Sequence, residues 1–348
     1  MGPSPVPQER RSDARVPPLL KLLDVLFLIR PPLLCVSSTF FFVGAAAALR
    51  SRTGSYGPSL MLGALPSLGA YLIIVAVAFT VNQIFDARSD AINRKNFLLP
   101  SGLVSRRQAL VLVGVLCALL FALCWERTVM FVVLVVAGLS LAFGYSIPPV
   151  RLKARPIADM LANVAGFGWI GFLFGWLVFG ELGRQALVRS IPYAVSMGAV
   201  FLNTCIPDED GDRAVGDRTT CVAFGARVVS LWALALMGLA VVAGIVVDEP
   251  IAVVAALTAI PGFVAVALRQ TAPSSVLASQ LAAFVLFALA AICAPVLAVL
   301  GAVTYLGSRF YYRRRLRIGY PRLGGADLGA AGVVGGGGGE ARRDAGAP

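Results

Sequence analysis

The sequence predicts an all-α membrane protein built as a bundle of about nine transmembrane helices, and three observations carry that prediction. Of 348 residues, 58% are hydrophobic and only 14% are charged, too few charges to cover a soluble surface. Apolar runs recur at close to the ~20 residues that cross a bilayer's hydrocarbon. A lipid-exposed backbone must satisfy its own hydrogen bonds, which leaves helices or closed barrels, and the alternating pattern of barrel strands is absent.

Residues 1–20 read as a polar, proline-rich disordered tail, 21–306 as one polytopic domain, and 307–348 as a basic and then glycine-rich disordered tail. Span one is predicted from about Leu22 to Leu49, with Arg30-Pro31-Pro32 near its entrance. That triplet reads either as a prolyl kink beside a snorkelling cation or as a cation facing an interior cavity. Span two runs from about Met61 to Phe85. The connection after it, Asp86 to Arg107, is long for a bundle, and its Phe97, Leu98 and Leu99 favour an ordered lid.

Spans three and four, about Ala109 to Cys124 and Thr128 to Phe143, are joined by a tight turn at Trp125-Glu126-Arg127. A rigid connector follows, Tyr145-Ser146-Ile147-Pro148-Pro149-Val150-Arg151-Leu152-Lys153. Span five, about Ile157 to Phe179, carries Gly168, Gly171, Gly175 and Gly180, spaced for close helix approach. Its Phe167, Trp169, Phe172, Phe174 and Trp176 are candidates to line a cavity. Span six, about Ile191 to Ile206, ends in Pro207-Asp208-Glu209-Asp210-Gly211-Asp212. Spans seven to nine follow at about Val228 to Val247, Ile251 to Leu268 and Val276 to Tyr305, the last interrupted by Pro295.

The net charge of +12 raises nucleic acid as a partner. The cations, however, fall in short loops and the two tails, without an aromatic-interleaved platform, so the lipid bilayer is the expected partner and nucleic acid is not. Sixteen Lys and Arg lie in the amino-terminal segment and the even-numbered connections, against five in the odd-numbered ones. By the positive-inside rule the acidic segments face the cytoplasm, and a multi-pass protein of a prokaryotic plasma membrane is expected. The basic stretch Arg309 to Arg322 would then lie outside, against the rule. The six cysteines form no C-x-x-C pair and read as small buried hydrophobes.

Of 18 acidic residues, seven (Asp86, Asp90, Asp208, Glu209, Asp210, Asp212 and Asp217) gather in two short stretches at span ends. Asn82, Asp86 and Asp90, spaced i, i+4 and i+8, drift only ~40° per step and share one helix face over ~12 Å. Asp208 and Asp212 repeat the spacing. Either cluster alone reads as well as a set of solvated helix caps; two on the same face read as a site. With histidine absent, hard oxygen donors favour Mg²⁺ bridging carboxylates to substrate phosphates. An EF-hand loop is excluded, because Gly211 precedes the third acid and Thr219 stands where a bidentate Glu belongs.

Asn82-x-x-x-Asp86-x-x-x-Asp90, followed by Asn93-Arg94-Lys95 and Leu99-Pro100-Ser101-Gly102, resembles the first signature of the UbiA family of intramembrane prenyltransferases. Asp208-x-x-x-Asp212 with Arg213 and Gly216 resembles the second, and Tyr145-Ser146-x-Pro148-Pro149-x-Arg151-x-Lys153 resembles the connector after the fourth helix. The resemblance covers roughly Leu22 to Tyr305. It implies a central cavity, open to the cytoplasm and sideways to lipid. It also implies that Asn82, Asp86 and Asp90 hold one Mg²⁺ and Asp208 and Asp212 another, clamping the diphosphate of a prenyl diphosphate donor. Arg94, Lys95, Arg151 and Lys153 then neutralise that diphosphate, and Tyr145 faces the substrate. Catalysis is expected of Asp86, Asp90, Asp208 and Asp212, with transfer of the isoprenoid to an aromatic or other lipophilic acceptor. A terpene cyclase and a non-catalytic carrier of polyisoprenoid phosphates are the alternatives. Pro207 and Asp217 depart from the family pattern.

Overall fold

The computed structural model describes residues 17–56, 62–92, 98–125, 127–317 and 320. The described chain is helical throughout: α1 (Pro18–Phe27), α2 (Pro31–Thr53), α3 (Leu65–Ile92), α4 (Arg106–Leu123), α5 (Val129–Ser146), α6 (Ala158–Trp176), α7 (Arg184–Cys205), a short α8 (Glu209–Val215), α9 (Thr220–Val246), α10 (Pro250–Arg269), α11 (Ala272–Cys293) and α12 (Pro295–Tyr311). Nine helices among the described residues are long and apolar enough to cross a membrane, as the composition predicts, and the chain is a multi-pass integral membrane protein.

Several element bounds differ from those the sequence predicts. Span one is two helices, because the chain turns at Arg30, which sits in the left-handed region with φ 56°, and Pro31 and Pro32 then open α2. The ninth span ends at Cys293, and α12 starts afresh at Pro295, whose missing N–H cannot continue α11. Helical structure then runs to Leu316, past residue 306 where the bundle was expected to stop. The connection after span two is also shorter than expected, since α3 continues to Ile92. Leu98 is buried, and α4 starts on a capping box in which Ser105 Oγ accepts from Gln108 N and Gln108 Oε1 accepts from Ser105 N.

Most spans pack on their neighbours in sequence, α4 and α5 instead both pack on α3, and α11 returns to α2, so the spans close a ring. The tightest seam is between α2 and the end of α6. A Cβ on Gly175 would run into the carbonyl oxygen of Phe41, and one on Gly44 into that of Phe172. Apolar helices gain nothing from leaving water inside a bilayer, so close backbone approach through small residues is what holds them. Gly168 likewise faces Ala194 of α7, in line with the packing role predicted for the span-five glycines. The middle of α6, Val164–Gly171, is a π-helical stretch, a widened turn that re-aims side chains where it occurs.

Candidate active site

The end of α3 carries the first acidic set. Asn82 Nδ2 donates to Asp86 Oδ2 at 2.7 Å and lies 3.4 Å from Ser146 Oγ at the end of α5. One helical turn apart on one face, the amide and the carboxylate meet as the spacing predicts. Asp90 follows one turn on and is buried.

The second set sits on α8. Asp208 opens this helix, Asp212 lies within it, and Gly216 closes it in the left-handed conformation with φ 82°. The helix packs against the end of α3, so the two acidic segments, more than a hundred residues apart, are neighbours. Asn82 and Asp208 line the same cavity.

The proline connector closes the site from the side. It turns through a cis peptide between Pro148 and Pro149 and a left-handed Arg151, φ 36°. The connector carries two cations to the two acidic segments. The Lys153 ammonium pairs with Asp86 Oδ1, and Arg151 Nη2 donates to Asp217 Oδ2 at 2.9 Å. Burial pushes Lys153 down to about 8, against the opposing pull of Asp217 and Asp212. Asp217 thus anchors the connector to the second segment, a role that its sequence position five residues past Asp212 does not show.

Two residues unremarked in the sequence complete the frame. Asp159, 1% exposed, accepts from Thr220 N at 2.7 Å and pairs with the Thr220 hydroxyl, while Ile157 N donates to Thr220 Oγ1 at 2.8 Å. The start of α6 is thereby tied to the start of α9. Asn163 Nδ2 donates to the Tyr145 hydroxyl at 3.2 Å and to Asp159 O at 2.8 Å, and Asn163 and Tyr145 both line the cavity. An isolated Asp or Asn inside a weakly apolar helix carries no spacing signal. Only the intramembrane cost of a carboxylate could have marked Asp159.

The cavity holds about 800 Å³. Its polar end is made by Asn82, Tyr145, Asn163, Thr204, Asp208 and Arg30, and its length by apolar side chains such as Phe40, Phe79, Phe167, Ile170 and Leu286. Arg30 therefore faces the interior, with its guanidinium 5.5 Å from the centre of the Phe79 ring. Of the span-five aromatics, Phe167 lines the cavity, Phe172, Phe174 and Trp176 are buried in the α2–α6 core, and Trp169 is exposed on the outer surface. A helix turns by about 100° per residue, so a single span cannot aim all five inward. Arg94 and Lys95 lie outside the described residues.

Among the described residues no three His, Cys, Asp or Glu side chains form a ready metal cage. Each acidic segment instead offers two carboxylates, with an amide added in the first. That donor set fits Mg²⁺, which keeps waters and shares its shell with substrate phosphates rather than filling an all-protein cage. The cation that Asp86 meets is Lys153, so this carboxylate already faces positive charge, just outside the cavity lining that Asn82 and Asp208 share.

Comparison with known proteins agrees with this architecture. Residues 37–280 match the UbiA prenyltransferase family. The bacteriochlorophyll synthase 34 kDa chain of Chloroflexus aurantiacus is 26% identical over 250 residues, covering 70% of this chain and 76% of that protein. Digeranylgeranylglyceryl phosphate synthase of Methanoregula boonei is 32% identical over 192 residues, 54% of this chain and 66% of the relative. Chlorophyll synthase of Oryza sativa is 30% identical over 153 residues, and the match spans 41% of its length. A UbiA homolog from Archaeoglobus fulgidus, solved with GPP and Mg²⁺, superposes with a TM-score of 0.61 at 18% identity over 80% of this chain and all of that one. The UbiA homolog from Aeropyrum pernix K1 gives 0.54 over 78% of this chain. At such identities the superpositions show a shared fold, and together with the sequence match over most of the spans they lead to one assignment: the chain belongs to the UbiA prenyltransferase family.

Proposed function

We propose that this intramembrane prenyltransferase moves an isoprenoid chain from a prenyl diphosphate to an aromatic or other lipophilic acceptor and releases diphosphate, using Mg²⁺. The observation that carries the reading is the meeting of two acidic segments at the polar end of a cavity of about 800 Å³ whose remaining walls are mostly apolar. A diphosphate belongs at the first place and an isoprenoid tail at the second. The GPP and Mg²⁺ of the Archaeoglobus fulgidus homolog support the same pairing here.

Asn82, Asp86 and Asp90 hold one ion, and Asp208 and Asp212 the other. Bound there, Mg²⁺ supplies positive charge to the departing diphosphate oxygens. Lys153, fixed against Asp86, adds a cation that needs no reorganisation as the carbon–oxygen bond breaks. Arg151 takes part from its place on Asp217, and we assign Arg94 and Lys95 to the same diphosphate on the strength of the sequence signature alone. Tyr145, steadied by Asn163, presents its ring beside the allylic carbon, where positive charge develops. The acceptor's nucleophilic atom attacks that carbon and then gives up its proton. The active face is the cytoplasmic one, on the strength of the Lys and Arg asymmetry, in the plasma membrane of a prokaryote.

The test incubates membranes containing the chain with Mg²⁺, labelled prenyl diphosphates and a panel of lipophilic acceptors. Transfer is expected in wild type, with a loss of about a thousandfold in Asp86→Ala, the scale on which removing a principal electrostatic group acts. Equal product from the two proteins would sink the mechanism, and a cyclic product formed without acceptor would replace transfer with cyclisation.

A further inference from the structure

Two segments that lie outside the family match, α1 before it and the α12 region after it, meet at the acidic end of the bundle. Asp24 is 2% exposed. Its carboxylate accepts from the Tyr311 hydroxyl at 2.7 Å, from Arg315 Nη2 at 2.7 Å and from Arg315 Nε at 2.9 and 3.1 Å to its two oxygens. Phe27 stacks on Tyr311 with ring centres 3.8 Å apart, and Tyr312 meets Phe27 edge-on at 5.6 Å. A buried forked ion pair with both oxygens bonded fixes orientation as well as distance. It joins residues at the two ends of the chain.

What this clasp holds is the far side of α3. Leu28, one residue beyond Phe27, has a carbonyl that accepts from Gln83 Nε2 at 2.6 Å. Gln83 is buried and adjoins Asn82. Ile84 lies in one apolar cluster with Phe27, Leu28 and Tyr311. Successive helix positions point about 100° apart, so α3 turns Asn82, Asp86 and Asp90 toward the site and Gln83 and Ile84 toward the clasp. Two residues beyond Leu28 stands Arg30, whose left-handed backbone puts its side chain into the cavity lining.

We propose that Asp24, Tyr311 and Arg315 form a positioning device for the first acidic set. By gripping α3 through Leu28 and Gln83, they set where Asn82, Asp86 and Asp90 stand and so how tightly the site holds a prenyl diphosphate with its divalent ions. Asp24 and Arg315 are not among the residues that line the cavity. The effect on binding rests on the function proposed above, whereas the clasp itself does not.

The experiment uses the full chain in nanodiscs, as wild type, Asp24→Asn, Arg315→Met, Tyr311→Phe and the charge swap Asp24→Arg with Arg315→Asp. Amide hydrogen exchange reads the clasp. Faster exchange is expected at residues 79–92 in Asp24→Asn and Arg315→Met, with residues 184–269 at the wild-type rate. Kinetics with Mg²⁺ and geranyl diphosphate read positioning. KM and the Mg²⁺ midpoint are expected to rise about tenfold, the low end of what losing a residue that supports a ligand costs, with kcat within about twofold. The charge swap is expected to restore both readouts in part. Unchanged exchange at 79–92, or a uniform rise in exchange along the chain with a parallel fall in kcat, would overturn the clasp, and faster exchange at 79–92 with KM and the Mg²⁺ midpoint unmoved would overturn the positioning role. Should the two single variants fail to fold, Tyr311→Phe, which removes one hydroxyl, and the swap carry the same test. If wild type transfers no prenyl group, the function proposed above falls. The clasp is then judged by whether Mg²⁺ and geranyl diphosphate protect 79–92 in wild type and less so in the variants; no difference overturns it.

Discussion

The side chains that decide this site are few, and their partners explain them. Lys153 sits against Asp86 and Arg151 against Asp217, so the connector's two cations are each committed to one acidic segment. The Arg151 pair is partly exposed, at 34% and 10% for the two side chains, and a pair of this kind contributes little more than a surface bridge. A double-mutant cycle of Arg151→Ala and Asp217→Ala, read by thermal unfolding in detergent, is expected to give a coupling of about 1 kcal/mol. The same cycle read by KM for the prenyl diphosphate tests the connector's place, and Asp217→Ala is expected to raise KM nearly as much as Arg151→Ala. Additive effects in both readouts would separate Asp217 from the connector. The pairing of Asn82 with Asp86 was legible from spacing alone, because four residues is one helical turn. The pairings of Lys153 and Arg151 were not, because they depend on how the 147–153 connector folds across the membrane surface.

At the scale of elements, the seam between α2 and α6 carries much of the bundle's rigidity. Gly175 and Gly44 let two backbones touch, and no rotamer change can relieve a clash with a carbonyl oxygen. Gly175→Leu is therefore expected to cost at least the roughly 1–3 kcal/mol of an overpacked core, seen as a lower Tm in detergent, while Gly183→Leu, with open space around its Cβ position, changes Tm little. Equal Tm losses would show that packing at this seam is looser than described. The glycine spacing on span five was readable as a close-contact face. Which partner it meets was not, because a stripe of small residues says how near a helix can come and not which helix comes. The break at Arg30 was readable from Pro31 and Pro32, yet the separate α1 it creates acquires its role only from residues near 311 and 315.

Taken whole, the molecule has two polar ends of different kind. At the end opposite the acids, Glu249 is fully buried between α9 and α10, pairs with Arg189 and accepts from the Tyr193 and Tyr56 hydroxyls, while Arg50 pairs with Asp248 beside it. Burial raises the Glu249 carboxyl above its ordinary 4.5, and Arg189 opposes the rise. The folded protein therefore binds this proton more tightly than the unfolded chain. The contribution to stability grows as pH falls from the raised value toward 4.5, and it fades as pH rises through that window. The Tm difference between wild type and Glu249→Gln is expected to shift toward wild type as pH is lowered there. A pH-independent difference would remove Glu249 from the account.

The sequence by itself determined the class of structure, a helical membrane bundle, and singled out the carboxylates of a candidate site, since hydrophobic runs of bilayer length and acids at helical spacing are local properties of the chain. Only the tertiary structure decided the rest. It put Asp208 and Asp212 beside Asn82, Asp86 and Asp90, spent Asp159 and Asp217 on holding the frame, and brought Asp24 to Arg315 across 291 positions. Those are meetings between distant segments, and their geometry comes from which faces pack, information that is spread over every helix and written at no single position.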